Sequence, residues 1–539
     1  MNNFSPGSAV IDLDGYAVTV ADIAAIAYGG ARVEVPPAAL ENMSAQRSAF
    51  EEIASSNVPV YGVTTGYGEM VYAAVDASEE TSLQTNLVRS HSAGTGPAFS
   101  VPEARAIVAA RINSLVRGYS AVRPELAIHL VEYLNRGVVP MIPEIGSLGA
   151  SGDLGPLAHL ASTVIGEGYT LGEDGNYVPT AERLAEVELD PLTLKFKEGL
   201  SLINGTSAMT GVIALLVEKS KMQVTSAEII SALILEIMQA SSSAFLSHGH
   251  NIARPHAGQA ASAANIRALI EGSGLVESHE RLRAEMSAAK RGTADSVAIT
   301  DVYLQKAYSL RCIPQILGAV RDTIAHVENV VTIELNSSND NPLFFKDEEV
   351  FHGGNFHGQP VAFGADFLGI SMIQVGVLSE RRTNRLLNRH LSNGLPEFLV
   401  HGYPGLKSGM AGLQYPATAT VAENRTLAVP ASIQSIPSNG DNQDVVSMGL
   451  IGARKSRTII ENNWIPLAVE AMAAVQAVHL SGRAGDLGPA GKVAFTALSE
   501  VFPLLEEDRY MADDLSRMID YLASGELPRR LRDAGVDLR

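Results

Sequence analysis

Apolar positions recur at helical spacing through the middle of the chain. Ile229, Ile230, Leu233, Ile234, Ile237 and Met238 fall at i, i+1, i+4, i+5, i+8 and i+9, which places them on one stripe of a helix. Thr225 and Glu228 just ahead of them have the spacing of a capping box and predict a helix start. A second long stripe runs from about Phe363 to His390 and a third from about Ala453 to Leu480. Apolar faces this long need cover from neighbouring helices, so the pattern predicts a helix bundle and an oligomer.

The pattern differs elsewhere. Before residue 200, short segments such as Val58-Pro59-Val60-Tyr61-Gly62-Val63 alternate with turns such as Gly137-Val138-Val139-Pro140. Gly and Pro punctuation marks loops, which commonly carry functional groups on a rigid scaffold. After Leu480 a glycine-rich turn (Gly482, Gly485, Gly488) leads into a charged helical tail. The reading is a mainly α protein in three parts: a loop-rich N-terminal domain over 1–200, a central helical bundle over 201–480, and a C-terminal helical segment over 481–539.

Charge and composition remove several function classes. Lys plus Arg number 40 against 59 for Asp plus Glu, a formal charge of −19 over 539 residues. Such acidity repels polyanions, so neither nucleic acid nor an anionic membrane is an expected partner. With 46% hydrophobic and 18% charged residues, the composition is globular rather than disordered. Cys312 is the one cysteine, which leaves no disulfide or cysteine zinc site within a chain and suits a reducing compartment such as the cytoplasm. The opening MNNFSPGSAVIDLDG lacks the basic and apolar regions of a signal peptide. The most apolar stretch, Ile229 to Leu246, contains Glu236, Gln239 and serines, and reads as a buried helix rather than a membrane span.

The most distinctive segment is Gly146-Ser147-Leu148-Gly149-Ala150-Ser151-Gly152-Asp153-Leu154-Gly155-Pro156. Its four glycines allow tight bends. Asp153 is placed to cap a following helix with Pro156 in the first turn. Taken alone, this is a turn leading into a helix. A serine nucleophile elbow fits poorly, because it needs glycine two residues either side of the serine and Asp153 holds the second position. A sharper reading uses the backbone. If the bend presses the Gly152 nitrogen onto the Ala150 carbonyl carbon, an imidazolone ring closes, and loss of water there and from Ser151 leaves an exocyclic methylidene. Gly152 has no Cβ to block that approach.

Gly149-Ala150-Ser151-Gly152-Asp153-Leu154 resembles the signature of the histidine, phenylalanine and tyrosine ammonia-lyases and the related aminomutases. Other segments match in order: Tyr61 to Gly68, Gln84 to Leu87, Ile203 to Thr206, Tyr308 to Arg311, Asn339 to Pro342, Asn355 to Gln359 and Asn442 to Asp444. Together they span nearly the whole chain. Longer stretches, Gln84 to Gly94 and Ser438 to Met448, most resemble the bacterial tyrosine 2,3-aminomutases of enediyne antibiotic pathways. The resemblance implies the histidine and phenylalanine ammonia-lyase fold, a long helix bundle of the architecture shared with fumarase and aspartase. It also implies a cytoplasmic homotetramer with active sites shared between subunits, and a 4-methylidene-imidazol-5-one group formed autocatalytically from Ala150, Ser151 and Gly152, with no metal and no nucleotide.

By the same resemblance, Tyr61 is the base that removes the substrate's β-proton. Free tyrosine has a pKa near ~10, so its phenolate needs stabilisation, for which helix N-termini are candidates. Read bare, it is a packed loop residue. Arg311 suits a substrate carboxylate through its two-pronged guanidinium, with Tyr308 three residues earlier on the same helical face. The remaining substrate-binding candidates are Gly68, His91, Asn204, Tyr303, Phe356, Tyr415, Asn442 and Gln443. Asn204 corresponds to an asparagine near the substrate carboxylate and the ring; Tyr303, Phe356 and Tyr415 correspond to aromatic wall positions. His91 can hydrogen-bond a phenolic hydroxyl, a contact that rejects the analogue lacking it, although histidine ammonia-lyases carry histidine there too. Gln443 replaces a glutamate common in histidine lyases, which argues against an imidazolium substrate.

The implied activity is conversion of L-tyrosine, or a ring analogue, to β-tyrosine through an arylacrylate. The alternatives are an ammonia-lyase acting on tyrosine, phenylalanine or histidine, and a non-catalytic helical scaffold. Two further patterns carry less. His248, His250 and His256 lack the cysteine or carboxylate partners of a metal site. Gly66-Tyr67-Gly68-Glu69 lacks the third glycine of a dinucleotide fingerprint.

Overall fold

The computed structural model describes residues 7–55, 59–291, 297, 305–346 and 350–539. The architecture is mainly α-helical. The chain forms two compact units, each assembled from separated stretches. The first comprises Met1–Glu218, His326–Phe367 and Pro430–Lys455; the second comprises Lys219–Ala325, Leu368–Val429 and Ser456–Arg539.

The strands of the described residues all lie in the first unit, as three two-stranded sheets. Gly7–Asp12 pairs with Ala31–Glu34 in parallel; Thr95–Ala98 with Pro143–Ile145 and Tyr169–Leu171 with Tyr177–Pro179 are antiparallel. At the core of this unit runs the helix Val101–Val116, buried on every side from Glu103 onward. Its start follows from sequence: Pro102 sits in the first turn, and the Glu103 carboxylate accepts from both Ser100 N–H and Ser100 Oγ, a capping box. Three shorter helices, Glu80–His91, Leu154–Val164 and Glu198–Ile203, pack against one another. The site is built where these three meet.

The apolar stripe at Ile229 to Met238 is buried, as its spacing predicts. The helix start expected at Thr225 and Glu228 is corrected. One helix runs unbroken over Ser207–Ile237. Thr225 Oγ1 donates to the Lys221 carbonyl one turn back, and the Glu228 carboxylate accepts from Arg321 and Asn265. A capping pattern has no meaning where the preceding residues already continue the helix, and both side chains are engaged by other partners.

The stripe expected from Phe363 to His390 is the helix Gln359–Leu387. The stripe from Ala453 to Leu480 is two helices, Gly449–Asn462 and Trp464–Ser481, meeting at Asn463. Pro466 lacks the N–H that would bond the Asn462 carbonyl, which accounts for the interruption. Trp464–Ser481 is the core of the second unit and is buried almost throughout. Two of its polar residues are partnered there: Glu470 pairs with Arg382, both fully buried, and Gln476 bonds Leu399 O at 3.2 Å and Leu505 O at 3.0 Å. Two stretches, Gln359–Leu387 and Gly449–Ser481, are long and apolar enough to cross a membrane, but 67% and 78% of their most apolar windows are buried within the protein.

Candidate active site

Gly149 and Gly152 bridge each other across the turn Ala150-Ser151. Ser151 has φ of 50°, a left-handed conformation that costs a side-chain-bearing residue roughly 1–2 kcal/mol. The bend is held by the segment after the helix Glu198–Ile203. Gly205 N donates to Ser151 O at 3.0 Å, and Asp153 N donates to Gly205 O at 2.7 Å. Those two bonds flank Gly152. A Cβ on Gly152 would stand 2.1 Å from Gly205 O, and one on Gly149 would stand 2.3 Å from Ser447 Oγ. The close approach therefore requires glycine at both positions. A compact left-handed bend with no Cβ at the attacking residue is the backbone that an Ala-Ser-Gly cyclisation needs, so these residues fit the prosthetic group.

Asp153 occupies the position before the helix Leu154–Val164, but the expected cap is corrected. Its carboxylate makes no bond to that helix. Instead Oδ2 accepts from Met209 N at 2.7 Å, in the first turn of Ser207–Ile237, and Oδ1 accepts from Ser147 Oγ at 2.9 Å. It caps the helix that packs behind it rather than the one it precedes. Complete burial pushes its pKa up to about 7, against the lowering effect of the Met209 and Ser147 bonds.

Asn204, also buried, follows Glu198–Ile203. Its Nδ2 donates to Asp340 Oδ1 at 2.9 Å and to Asn341 O at 3.0 Å. Both partners accept only, so the atom left for a ligand is Oδ1. Asp340 is in turn paired with Lys197 at 2.6 Å, both side chains fully buried. Burial pushes the Lys197 ammonium below its ordinary pKa, while Asp340 opposes that shift.

The bend opens onto a cavity of about 870 Å³ within the first unit. Ala150, Ser151, Gly152, Tyr61, Gly68, His91, Asn204, Phe356, Asn442 and Gln443 all line it. The Tyr61 hydroxyl accepts the Gly68 N–H at 2.7 Å. Burial raises the Tyr61 pKa, and the Gly68 bond pulls the other way. The stabilising donor is thus the first residue of the short 3-10 turn Gly68–Tyr72. His91 ends the helix Glu80–His91, and its Nδ1 lies 2.9 Å from the Leu87 carbonyl. A carbonyl cannot donate, so Nδ1 carries the proton and Nε2 is left as an acceptor. Gln443 Oε1 accepts from Ser438 Oγ at 2.9 Å, which leaves its amide donors for the cavity.

Three candidates are not brought to this cavity. Tyr308, Arg311 and Tyr415 belong to the second unit, and none of them lines it. Tyr308 and Tyr415 are exposed, at 69% and 74%. The Arg311 guanidinium lies 4.8 Å over the Tyr308 ring, and its Nε donates to Lys306 O at 2.9 Å. Tyr303 lies outside the described residues. His250 is buried with both ring nitrogens engaged, by Ala244 O at 2.9 Å and Gln259 Nε2 at 3.0 Å.

The sequence profile of aromatic amino acid lyases matches residues 18–500. The chain belongs to the aromatic amino acid lyase family. This lyase-family chain is 57% identical over 530 residues to the MIO-dependent tyrosine 2,3-aminomutase of Streptomyces globisporus, covering 98% of each. It is 56% identical over 527 residues to a tyrosine ammonia-lyase of Cupriavidus metallidurans, again over 98% of each. The crystal structure of the tyrosine aminomutase from Streptomyces globisporus matches with a TM-score of 0.96 at 56% identity, over 98% of this chain and 100% of that one.

Sequence reasoning missed several members of this lyase-family site. Lys197, Asp340 and Arg111 form the buried polar support behind Asn204. A signal existed for Asp340, which lies inside the Asn339-Asp340-Asn341-Pro342 motif. Arg111 sits among ordinary helical sequence and Lys197 in the turn before Glu198–Ile203, where a cation reads as a solvated surface charge.

Proposed function

We propose that this chain is a tyrosine 2,3-aminomutase, converting L-tyrosine or a close ring analogue to β-tyrosine. The observation that carries this reading is one cavity holding the Ala150-Ser151-Gly152 bend, the Tyr61 hydroxyl and the acceptor nitrogen of His91. The similarity to a protein named as a tyrosine 2,3-aminomutase supports it.

The 4-methylidene-imidazol-5-one group, formed by Ala150, Ser151 and Gly152, supplies an electrophile that makes the substrate amine a leaving group. The chain's own residues do the rest. His91 Nε2 accepts the phenolic proton of the ring. Asn204 stands near the substrate carboxylate and the prosthetic ring, with Oδ1 as its remaining acceptor. Tyr61 removes the β-proton, with the Gly68 N–H held on its oxygen to favour the phenolate. Phe356, Asn442 and Gln443 wall the cavity and retain the arylacrylate until the amine returns at the β-carbon. Arg311, with Tyr308 beside it, binds the carboxylate from another subunit of a homotetramer with shared sites, and the resemblance assigns Tyr303 and Tyr415 to the aromatic lining. The reading needs no metal and no nucleotide. We read the use of β-tyrosine as enediyne-type antibiotic assembly in the cytoplasm, from the resemblance of Gln84 to Gly94 and Ser438 to Met448.

One relative favours a second reading, a tyrosine ammonia-lyase that releases 4-coumarate and ammonia, since a protein so named is 56% identical. The two share every step up to the arylacrylate and differ in how long it is held. Incubation with L-tyrosine followed by chromatography decides between them. β-Tyrosine is the expected main product; 4-coumarate alone would assign the lyase.

A further inference from the structure

Behind the Asn204–Gly205 segment lies Arg111, on the buried helix Val101–Val116, with its side chain fully buried. Its Nη1 donates to the Asn204 carbonyl at 3.1 Å and to Asn339 Oδ1 at 3.3 Å. Its Nε and Nη2 are buried and make no hydrogen bond among the described residues. Among the described residues no carboxylate bonds it directly; Asp340 and Asp153 act on it only at longer range, and burial brings its pKa down to about 10. Removing a guanidinium from water costs several kcal/mol, and an apolar side chain of similar volume would be the more stable occupant. The position therefore requires a reason other than stability.

The contacts supply one. Asn204 O and Gly205 belong to the segment against which the Ala150-Ser151-Gly152 bend is registered, through Gly205 N to Ser151 O and Asp153 N to Gly205 O. A Cβ on Gly205 would stand 2.4 Å from Arg111 Nη1, so the guanidinium and this backbone are in direct contact. Arg111 thus holds the template from one side while the bend rests on the other. Asn339 Nδ2 also donates to Thr206 Oγ1 at 2.8 Å, so the same cation reaches the template at Asn204 directly and at Thr206 through Asn339.

We propose that Arg111 is a positioning residue for the backbone cyclisation that makes the prosthetic group, acting through Asn204 and Gly205. This rests on the proposed function, because without that group there is no cyclisation to assist. In the step, a bond forms from Gly152 N to the Ala150 carbonyl carbon. The Ala150 oxygen leaves as water with the protons of Gly152 N and Ser151 N, which yields a C=N bond. A second water takes the Ser151 hydroxyl and the Ser151 Cα proton, leaving the methylidene. No oxidant is required. Gly152 N lies between the two bonds that hold the bend, so its approach to Ala150 depends on how firmly those bonds are held.

The test measures intact mass of the full-length protein and of three variants, Arg111→Met, Arg111→Lys and Arg105→Met. Arg105 is a matched control. It is also buried, on the same helix, but bonds Ile26 O and Leu134 O away from the bend. Wild type and Arg105→Met should lack the mass of two waters, even if Arg105→Met melts earlier. Arg111→Met should keep a wild-type circular-dichroism spectrum yet carry a large fraction at the encoded mass. Its dehydration, followed over time after synthesis, should slow by about tenfold or more, as expected for loss of one hydrogen bond to a charged group. Arg111→Lys keeps the charge and should fall between. Complete dehydration of folded Arg111→Met at the wild-type rate overturns the proposal. If Arg111→Met does not fold, Arg111→Lys decides, and a wild-type rate there overturns it equally. An encoded mass in the wild type itself overturns the proposed function instead.

Discussion

The Tyr61 hydroxyl accepts the Gly68 amide proton at 2.7 Å, a contact between two residues seven apart on one loop. It is the interaction found at Tyr61 that favours the phenolate, and burial works against it. Because the folded pKa lies above the ordinary value near ~10, the base form grows only as pH rises into the alkaline range. The rate on L-tyrosine should therefore climb with pH from neutrality upward. Tyr61→Phe should lower the rate by about 10²–10⁴-fold, the usual contribution of a positioned general base. Initial rates across pH check both statements, and an intact mass still lower than the variant's encoded value by two waters shows that the prosthetic group is untouched.

His91 is set up to accept because Leu87 O holds its other nitrogen. His91→Phe leaves a phenolic hydroxyl without a partner in a partly enclosed site, a loss of about 1–3 kcal/mol. The preference for tyrosine over phenylalanine should drop by about tenfold to a hundredfold. Competition between the two amino acids measures that ratio. An unchanged ratio would place the ring elsewhere in the cavity.

Gly152→Ala sets a Cβ 2.1 Å from Gly205 O on a residue with φ of 78°. The strain is at least roughly 1–2 kcal/mol before the clash is counted. The expected product is a folded chain at its encoded mass, inactive on every aromatic amino acid. Recovery of a chain lighter by two waters would show that the bend tolerates the methyl group.

Asp153 makes stability depend on pH. Its folded pKa of about 7 lies above the ordinary value of 3.8, so between these values the native state holds more protons than the unfolded one. Its contribution is thus fully present below about pH 4 and is lost as pH rises towards 7, on the order of a few kcal/mol across that interval. Asp153→Asn removes the titration and should flatten the fall in Tm between pH 5 and 7.5. Thermal melts of both proteins at the two pH values settle the sign.

Much of the local structure was legible from the chain. The stripe at Ile229 to Met238 lies buried in a helix because a 3.6-residue period has one way to hide its apolar side. The glycines around Ala150-Ser151 announced a bend, since only glycine tolerates φ of 83° and 78° beside such close neighbours. The motif residues Tyr61, His91, Asn204, Phe356 and Gln443 could be named in advance and do share a cavity.

Partner choice was not legible. Thr225 and Glu228 have capping spacing, yet spacing does not record that the helix began at Ser207. Asp153 stands at one helix start and caps another, because its carboxylate met Met209 N only after residues 56 positions apart were folded together. Arg111 and Lys197 are ordinary cations in sequence and became buried supports through contacts up to 228 residues away. Local preference and periodicity act over a few residues and are written in composition. Which buried donor finds which acceptor is a property of packing, and that is decided by the whole chain at once.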